Sequence, residues 1–336
     1  VNIEELDTLG GINTVMVQLI PIANIELEAA TSLWNDELGS EFPMRPQLLR
    51  QSWTEDRNVS AAGSWAAIDE SCNRLAGFVV AKTWNDPSEG ISFPSEGGWI
   101  SVLLVHSDYR RQGIGSLLLH KAEQALREAG VVDVHLGNDL HRRLFPGLPV
   151  PSQAASAWFE SKGYRCTGSL QDLLCQYRKD EPVVTPDFED ISIRLLREDE
   201  HGRIQRFMHE HFPGRWDYST RDYWKAGGSG REFVVMEKAG ELIGFCRIND
   251  SASPLLAQNI YWSPLFEGEL GGVGPLGIDS AYRGRGYGAA IVQAGISILR
   301  GRGIGNIVID ATPIAAFYEQ MGYRIWRTYN LYSKHL

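Results

Sequence analysis

Arg283-Gly-Arg-Gly-Tyr-Gly288 stands between a strand-like apolar run and a helix-like one, and a second copy, Arg110-Arg-Gln-Gly-Ile-Gly115, lies 173 residues upstream. A glycine-rich turn that opens a helix presents unpaired backbone N–H groups and the positive end of the helix dipole. That combination suits the phosphates of a nucleotide-like cofactor. The duplication predicts two similar folds of this kind in one chain.

The repeat extends beyond the loops. Gly77 in Leu75-Ala-Gly-Phe-Val79 matches Gly244 in Leu242-Ile-Gly-Phe-Cys246 at an offset of 167, and the opening strands at 17–22 and 191–196 match at 174. The closing pieces Ala157-Trp-Phe-Glu-Ser-Lys-Gly-Tyr164 and Ala316-Phe-Tyr-Glu-Gln-Met-Gly-Tyr323 match at 159. The matching segments keep their order in both halves, which similarity at a single loop does not produce. Because the offset falls from 173 to 159, the first half carries about 14 extra residues, placed in the proline-rich stretch 141–153.

Composition sets the outer limits. With 336 residues, 43% hydrophobic and 22% charged, the chain suffices for two cores of about 150 residues each. A net charge of −10 and a pI near 5.4 argue against nucleic acid or an anionic membrane as partner. Cys72, Cys166, Cys175 and Cys246 form no Cys-x-x-Cys pair and no zinc set, which fits reduced thiols in the cytoplasm. No apolar run approaches bilayer length, and the acidic start is no secretory signal. Met16 sits just before the first strand, so residues 1–15 read as a loosely attached tail.

The rest of the chain divides into a domain over 16–181, a linker over 182–190 with two prolines, and a domain over 191–336. In the first, strands are expected at 17–22, 64–68, 75–84, 98–105 and 131–136, helices at 25–38, 113–129 and 152–162, and a closing hairpin over 164–177. The second repeats this with helices at 199–212, 286–299 and 313–320, strands at 233–238, 241–249, 271–278, 306–310 and 324–332, and a further helix capped by Ser219. Each half is a mixed α/β layer structure, not an uninterrupted βαβ series.

A dinucleotide fingerprint is the rival reading, since Asp310 ends the next strand about 20 residues after the second loop. The first loop has no matching acidic residue, and five residues separate strand from glycines at the second. Arg-x-x-Gly-x-Gly between strand and helix resembles instead the acetyl-coenzyme A loop of the GNAT superfamily of N-acetyltransferases. Ala316-Phe-Tyr-Glu-Gln-Met-Gly-Tyr323 resembles that superfamily's late helix and turn. Both motifs occur twice and in order, so the resemblance covers nearly the whole chain. It implies two tandem domains, each a mixed, mostly antiparallel twisted sheet flanked by helices.

By this resemblance the backbone of Leu276, Gly277 and Ile278 pairs with the pantetheine arm. The N–H groups of Gly284, Arg285, Gly286, Tyr287, Gly288 and Ala289 hold the pyrophosphate, with Arg283 and Arg285 adding charge. The counterparts in the first half are Leu104, Val105, Arg110, Arg111, Gln112, Gly113, Ile114 and Gly115. Gly271, Gly272, Gly274 and Gly277 are poor strand formers, so something is expected to approach that backbone closely.

In many relatives a Tyr at the position of Tyr318 stands beside the cofactor sulfur and protonates the leaving thiolate; the first half has Phe159 there. The second half is therefore expected to be catalytic, and the first to be a scaffold, a wall of the acceptor site or a degenerate cofactor binder whose intact loop can still hold cofactor. The attacking amine arrives as an ammonium and must lose a proton. Asp310, Glu269 and Glu267 are the candidate acceptors, and strand N–H groups around Ile278 suit an oxyanion. Cys246, mid-strand, has no His in reach. His209 and His211 point to different helix faces, so no metal is expected. Trp216, Tyr223 and Trp224, with Tyr218, fall where GNAT folds build the acceptor wall.

Tandem proteins of this type are similar to bacterial glucosaminide N-acetyltransferases, and mycothiol synthase is another tandem relative. The expected partner is thus a small-molecule amine, foremost glucosamine or an amino-sugar oligomer, with acetyl-CoA as donor and a monomer or homodimer as the working state. An aminoglycoside, a peptide-type amine, or a non-catalytic coenzyme A sensor are the alternatives.

Overall fold

A computed structural model describes residues 16–86, 90, 91, 97–182 and 187–336. The tail at 1–15 and residues 183–186 of the expected linker lie outside the described residues. The first half runs β1 (Val17–Pro21), α1 (Leu27–Leu38), α2 (Pro46–Leu49), β2 (Trp65–Asp69), β3 (Arg74–Thr83), β4 (Gly97–Val105), α3 (Ile114–Glu128), β5 (Asp133–Leu136), β6 (Leu148–Val150), α4 (Gln153–Ser161) and β7 (Arg165–Gln176). The second runs β8 (Ile191–Leu195), α5 (His201–His211), α6 (Arg215–Lys225), β9 (Phe233–Lys238), β10 (Glu241–Asn249), β11 (Leu270–Ile278), α7 (Tyr287–Gly301), β12 (Asn306–Thr312), α8 (Ala315–Glu319) and β13 (Arg324–His335).

The strands form one continuous sheet in the order β1-β2-β3-β4-β5-β13-β7-β12-β11-β10-β9-β8, with β6 beside β13. Only β4–β5 and β11–β12 pair in parallel; every other pair is antiparallel. Each half contributes its last strand to the other. β13 lies between β5 and β7, and β7 lies between β13 and β12. The hairpin expected over 164–177 is therefore a single long strand whose partners come from the second half. A cluster that includes Trp34, Phe42, Phe145, Tyr261, Trp262 and Tyr329 joins the halves, and Phe145 stacks on both Trp34 and Trp262.

Local signals explain the helices that carry the loops. α3 starts at Gly113 (φ 86), buries Leu118, Leu119, Ala122 and Leu126 on one face, and stops ahead of Gly130 (φ 82). Fully burying one such leucine contributes about 1.5–3 kcal/mol. α7 repeats the plan from Gly286 (φ 81). Ser219 does not cap a helix: α6 begins four residues earlier, at Arg215, and the Ser219 hydroxyl donates back to the Trp216 carbonyl.

The parallel pairs hold for only a few residues. β11 pairs with β12 at 270–272, then departs and follows β10 as far as Ile278. β4 likewise leaves β5 after Ile100. Each parting opens a wedge in the sheet, with the glycine loop at its wide end.

Candidate active site

The second-half wedge carries the glycine loop at its wide end. Among the described residues none of the six N–H groups from Gly284 to Ala289 has a hydrogen-bond acceptor. Gly284 (φ 77) and Gly286 (φ 81) adopt the left-handed backbone, and a Cβ added to either would meet nothing within 4 Å. These glycines thus serve the turn and leave the face of the loop open. Arg283 donates Nε to the Ile278 carbonyl at 2.9 Å and has no carboxylate within 4 Å among the described residues. The cleft beneath the loop, about 510 Å³, is lined by Leu276, Gly277, Ile278, Arg283, Gly284, Gly286, Tyr287, Gly288 and Ala289, with Phe212, Trp216 and Phe317 opposite. A free strand edge, open amides, a helix N-terminus and an unneutralised arginine fit the arm and pyrophosphate of coenzyme A.

The strand glycines have another explanation than the one expected. A Cβ at Gly277 would stand 2.5 Å from the Phe212 ring, and one at Gly272 would stand 2.0 Å from Asn259. Protein side chains, not a ligand, demand glycine at both positions.

The first-half cradle has the same backbone but a different charge state. Arg110 repeats the bond of Arg283, with Nε on the Val105 carbonyl at 3.0 Å. Its Nη2, however, donates to the carboxylate of Glu37, which also accepts the Ser107 N–H at 2.6 Å. Arg111, where the second loop has Gly284, is held at φ 66, and the Trp158 ring lies within 3.6 Å of a Cβ on Gly115. Leu104 is buried in the sheet against Phe78. Gln112 is tied back to the Asp108 carbonyl, and Gly113 and Ile114 begin α3. The arginine that should meet phosphate already has its anion.

A second cavity, about 550 Å³, adjoins the second-half cleft and shares Trp216, Leu276 and Phe317 with it. Tyr318 and Asp310 both line it. Tyr318 projects from α8 and is 5% exposed. Its hydroxyl has no hydrogen-bond partner among the described residues. Burial first, then the nearby Cys246 and Asp310, hold its pKa above the ordinary phenol value, so it remains a proton donor at neutral pH. Asp310 lies in β12 at the irregularity between Ile309 and Thr312, where the pairing with β7 shifts register. Burial raises its pKa, opposed by Arg143, whose Nη2 lies 3.6 Å away, and by Asn259. A carboxylate shifted upward in a pocket can act as a base near neutral pH.

The opposite wall comes from the first half. Asp139 stands just ahead of the segment where the extra residues fall, His141, Arg142 and Arg143 belong to it, and all four line the cavity with α6. Lys82, fully buried, anchors the segment by binding Asp56 at 2.9 Å, Asp139 at 2.7 Å and the His141 carbonyl at 3.0 Å. His141 and Arg142 in turn reach Asp222 of α6, each at 3.0 Å. Sequence reading missed these residues; the drop in offset was the signal that pointed to them.

The other expected site residues are scattered. Trp216 lines both cavities. Tyr223 is a core residue at the cavity floor, its hydroxyl donating to Glu232 at 2.6 Å and accepting the Gly230 N–H. Trp224 packs on His201, outside the cavity. Glu269 is exposed at the closed end of the wedge and accepts from Ser251; Glu267 is exposed beside it. Both are displaced from the cavity because the wedge opens at the far end of β11. Arg285 lies over the Tyr282 ring at the loop's outer edge. Cys246 is buried in mid-strand, and His209 binds Asp217. No group of three metal-ligating side chains occurs among the described residues. None of their helices is long and apolar enough to cross a membrane.

Twin wedges, twin glycine loops and a mixed sheet define an acyltransferase of the GNAT type. The profile of the Acetyltransferase (GNAT) family matches residues 27–145 and 198–323, and the chain belongs to this family, whose acetyl donor is acetyl-CoA. The chain is 27% identical over 284 residues to a mycothiol acetyltransferase of Acidothermus cellulolyticus, covering 80% of this chain and 78% of that one. In structure it resembles the GCN5-related glucosamine N-acetyltransferase region of a fungal multi-domain GH3 β-N-acetylglucosaminidase, with a TM-score of 0.83 at 23% identity. That likeness covers 97% of this chain but 39% of the fungal one, and it speaks to fold alone. A tandem GNAT protein from the clavulanic acid biosynthesis pathway aligns with a TM-score of 0.65 at 14% identity, covering 95% and 98% of the two chains.

Proposed function

We propose that the second half transfers an acetyl group to the primary amine of a small molecule, foremost an amino sugar, held in the cavity between the halves. One observation carries the reading: the Tyr318 phenol and the Asp310 carboxylate line a cavity that shares the walls of Trp216, Leu276 and Phe317 with the cleft beneath the glycine loop. Leu276, Gly277 and Ile278 would hold the coenzyme's arm, and the amides of Gly284 to Ala289 with Arg283 its pyrophosphate. Bound there, acetyl-CoA supplies an activated acyl thioester.

The chain's own groups do the proton work. Asp310 takes the proton from the acceptor's ammonium, aided by the burial that raises its affinity for it. The Tyr318 oxygen keeps the proton that a departing thiolate requires. Phe317 and Trp216 wall the junction of the two cavities. An amino sugar suits the acceptor cavity because Trp216 in its wall offers a ring face. The four unpaired cysteines suit a reducing compartment.

A second reading, a mycothiol-type acceptor, is supported by the mycothiol acetyltransferases that match most of the chain. A free-thiol assay with acetyl-CoA and a panel of glucosamine, chitosan oligomers, aminoglycosides and cysteinyl amines decides among them. Silence across the whole panel sinks acetyl transfer to small amines.

A further inference from the structure

Arg143 and Arg215 come from opposite halves of the chain and donate to the same atom. Their Nη1 groups lie 2.6 Å and 3.1 Å from Asn138 Oδ1, and Nη2 of Arg215 lies 2.8 Å from the Asn138 carbonyl oxygen. Asn138 holds this position at φ 52, in the left-handed region that Asn tolerates better than most residues. Two guanidinium groups that line the acceptor cavity thus converge on one neutral oxygen behind its wall.

The negative charge nearby is mostly committed. Asp139 is bound by Lys82 at 2.7 Å and Asp222 by Arg142 at 3.0 Å. Asp310 approaches Arg143 alone, at 3.6 Å, and Arg215 has no carboxylate within 4 Å among the described residues. Arg215 is also the first residue of α6, whose preceding Gly214 offers no side-chain cap, so the positive end of that helix adds to the same field. Burial, and secondly the charge of Arg143, pull the Arg215 pKa down to about 9, and the more distant Asp139 and Asp310 charges offset this only in part. A planar donor fork in this state matches a carboxylate or a phosphate, either of which would relieve the crowding of positive charge.

We infer that the acceptor carries an anionic group, a carboxylate or a phosphate monoester, which Arg143 and Arg215 grip while the amine faces Asp310. This rests on the reading of the cavity as the acceptor site. Asn138 orients the two guanidinium groups, and the anion sets which amines are chosen.

The test compares matched amines on the full chain: glucosamine, glucosamine 6-phosphate and glucosaminuronic acid, each with acetyl-CoA. The expected kcat/KM for at least one anionic member is tenfold or more above glucosamine, and which member leads distinguishes phosphate from carboxylate. Arg215→Met is expected to collapse that ratio toward one, and Arg215→Lys to retain part of it. A wild-type ratio of one or less overturns the inference, whatever the variants do. Calorimetric titration of the same amines without acetyl-CoA separates this inference from acetyl transfer itself. Tighter binding of an anionic amine without turnover keeps the anion site and sinks the transfer reading. Turnover of all three amines at equal rates keeps transfer and sinks the anion site.

Discussion

Arg143 of the first half places Nη2 3.6 Å from Oδ2 of Asp310 at the end of β12 in the second half. The carboxylate proposed as the base is thus adjusted by a residue of the first half. Burial raises the Asp310 pKa and the guanidinium opposes the rise. The acidic limb of kcat/KM against pH is expected above the ordinary carboxylate range of about 4. Arg143→Met should move that limb further up, and Asp310→Asn should lower kcat/KM by about 10²- to 10⁴-fold. A limb unmoved by Arg143→Met, measured with a neutral amine, would separate Arg143 from the base.

Asp172, coupled to Asp310 by charge, is expected to shape how the stability of the fold depends on pH. It is buried beneath the same strand end, where its carboxylate accepts from the Tyr329 hydroxyl and the Ala311 N–H, each at 2.8 Å. Burial, and secondly the Asp310 charge, push its pKa up to about 7. A carboxyl whose folded pKa is raised contributes stability that is fully present below its unfolded pKa, about 4, and is lost as pH rises toward the folded value. Tm should therefore decline between about pH 4 and 7, and Asp172→Asn should flatten that stretch of the curve. Thermal melts across the range settle it.

The exchanged strands make the halves interdependent. β13 hydrogen-bonds to β5 and β7, and β7 to β12, so neither half's sheet is complete by itself. Calorimetry of the whole chain should show one cooperative transition. A chain ending before Arg324 should lose the first half's fold along with the second's. Two well-separated transitions would contradict this.

What the sequence revealed follows from locality. Arg110 to Gly115 and Arg283 to Gly288 read correctly because a glycine turn, its strand and its helix are consecutive in the chain. Strand partners are not consecutive. β7 and β13 have similar lengths and late positions, and nothing in their own residues says that each pairs across the halves. Trp216 and Tyr223 differ in the same way: both are aromatic residues of α6, but the packing of Glu232 and Gly230 takes the Tyr223 hydroxyl and leaves Trp216 on the cavity. Arg143 and Asp172 were illegible because their importance lies in proximity to Asp310, which is distant in sequence from both.

The Arg110–Glu37 pair predicts the coenzyme stoichiometry. With its arginine neutralised and Trp158 beside Gly115, the first cradle should be empty at concentrations that fill the second, so titration should find one coenzyme A per chain. Glu37→Gln releases Arg110 and should add weak binding at a second site. Two equal sites in the wild-type chain would overturn the distinction between the cradles.

Turnover and acetyl-CoA affinity, measured together for Tyr318→Phe and the wild-type chain with an accepted amine, test the central claim most directly. The account predicts that kcat falls by about 10²-fold or more while the dissociation constant of acetyl-CoA stays within a few-fold. An undiminished kcat would contradict it, because the buried Tyr318 phenol in the wall of the acceptor cavity would then not be the proton donor.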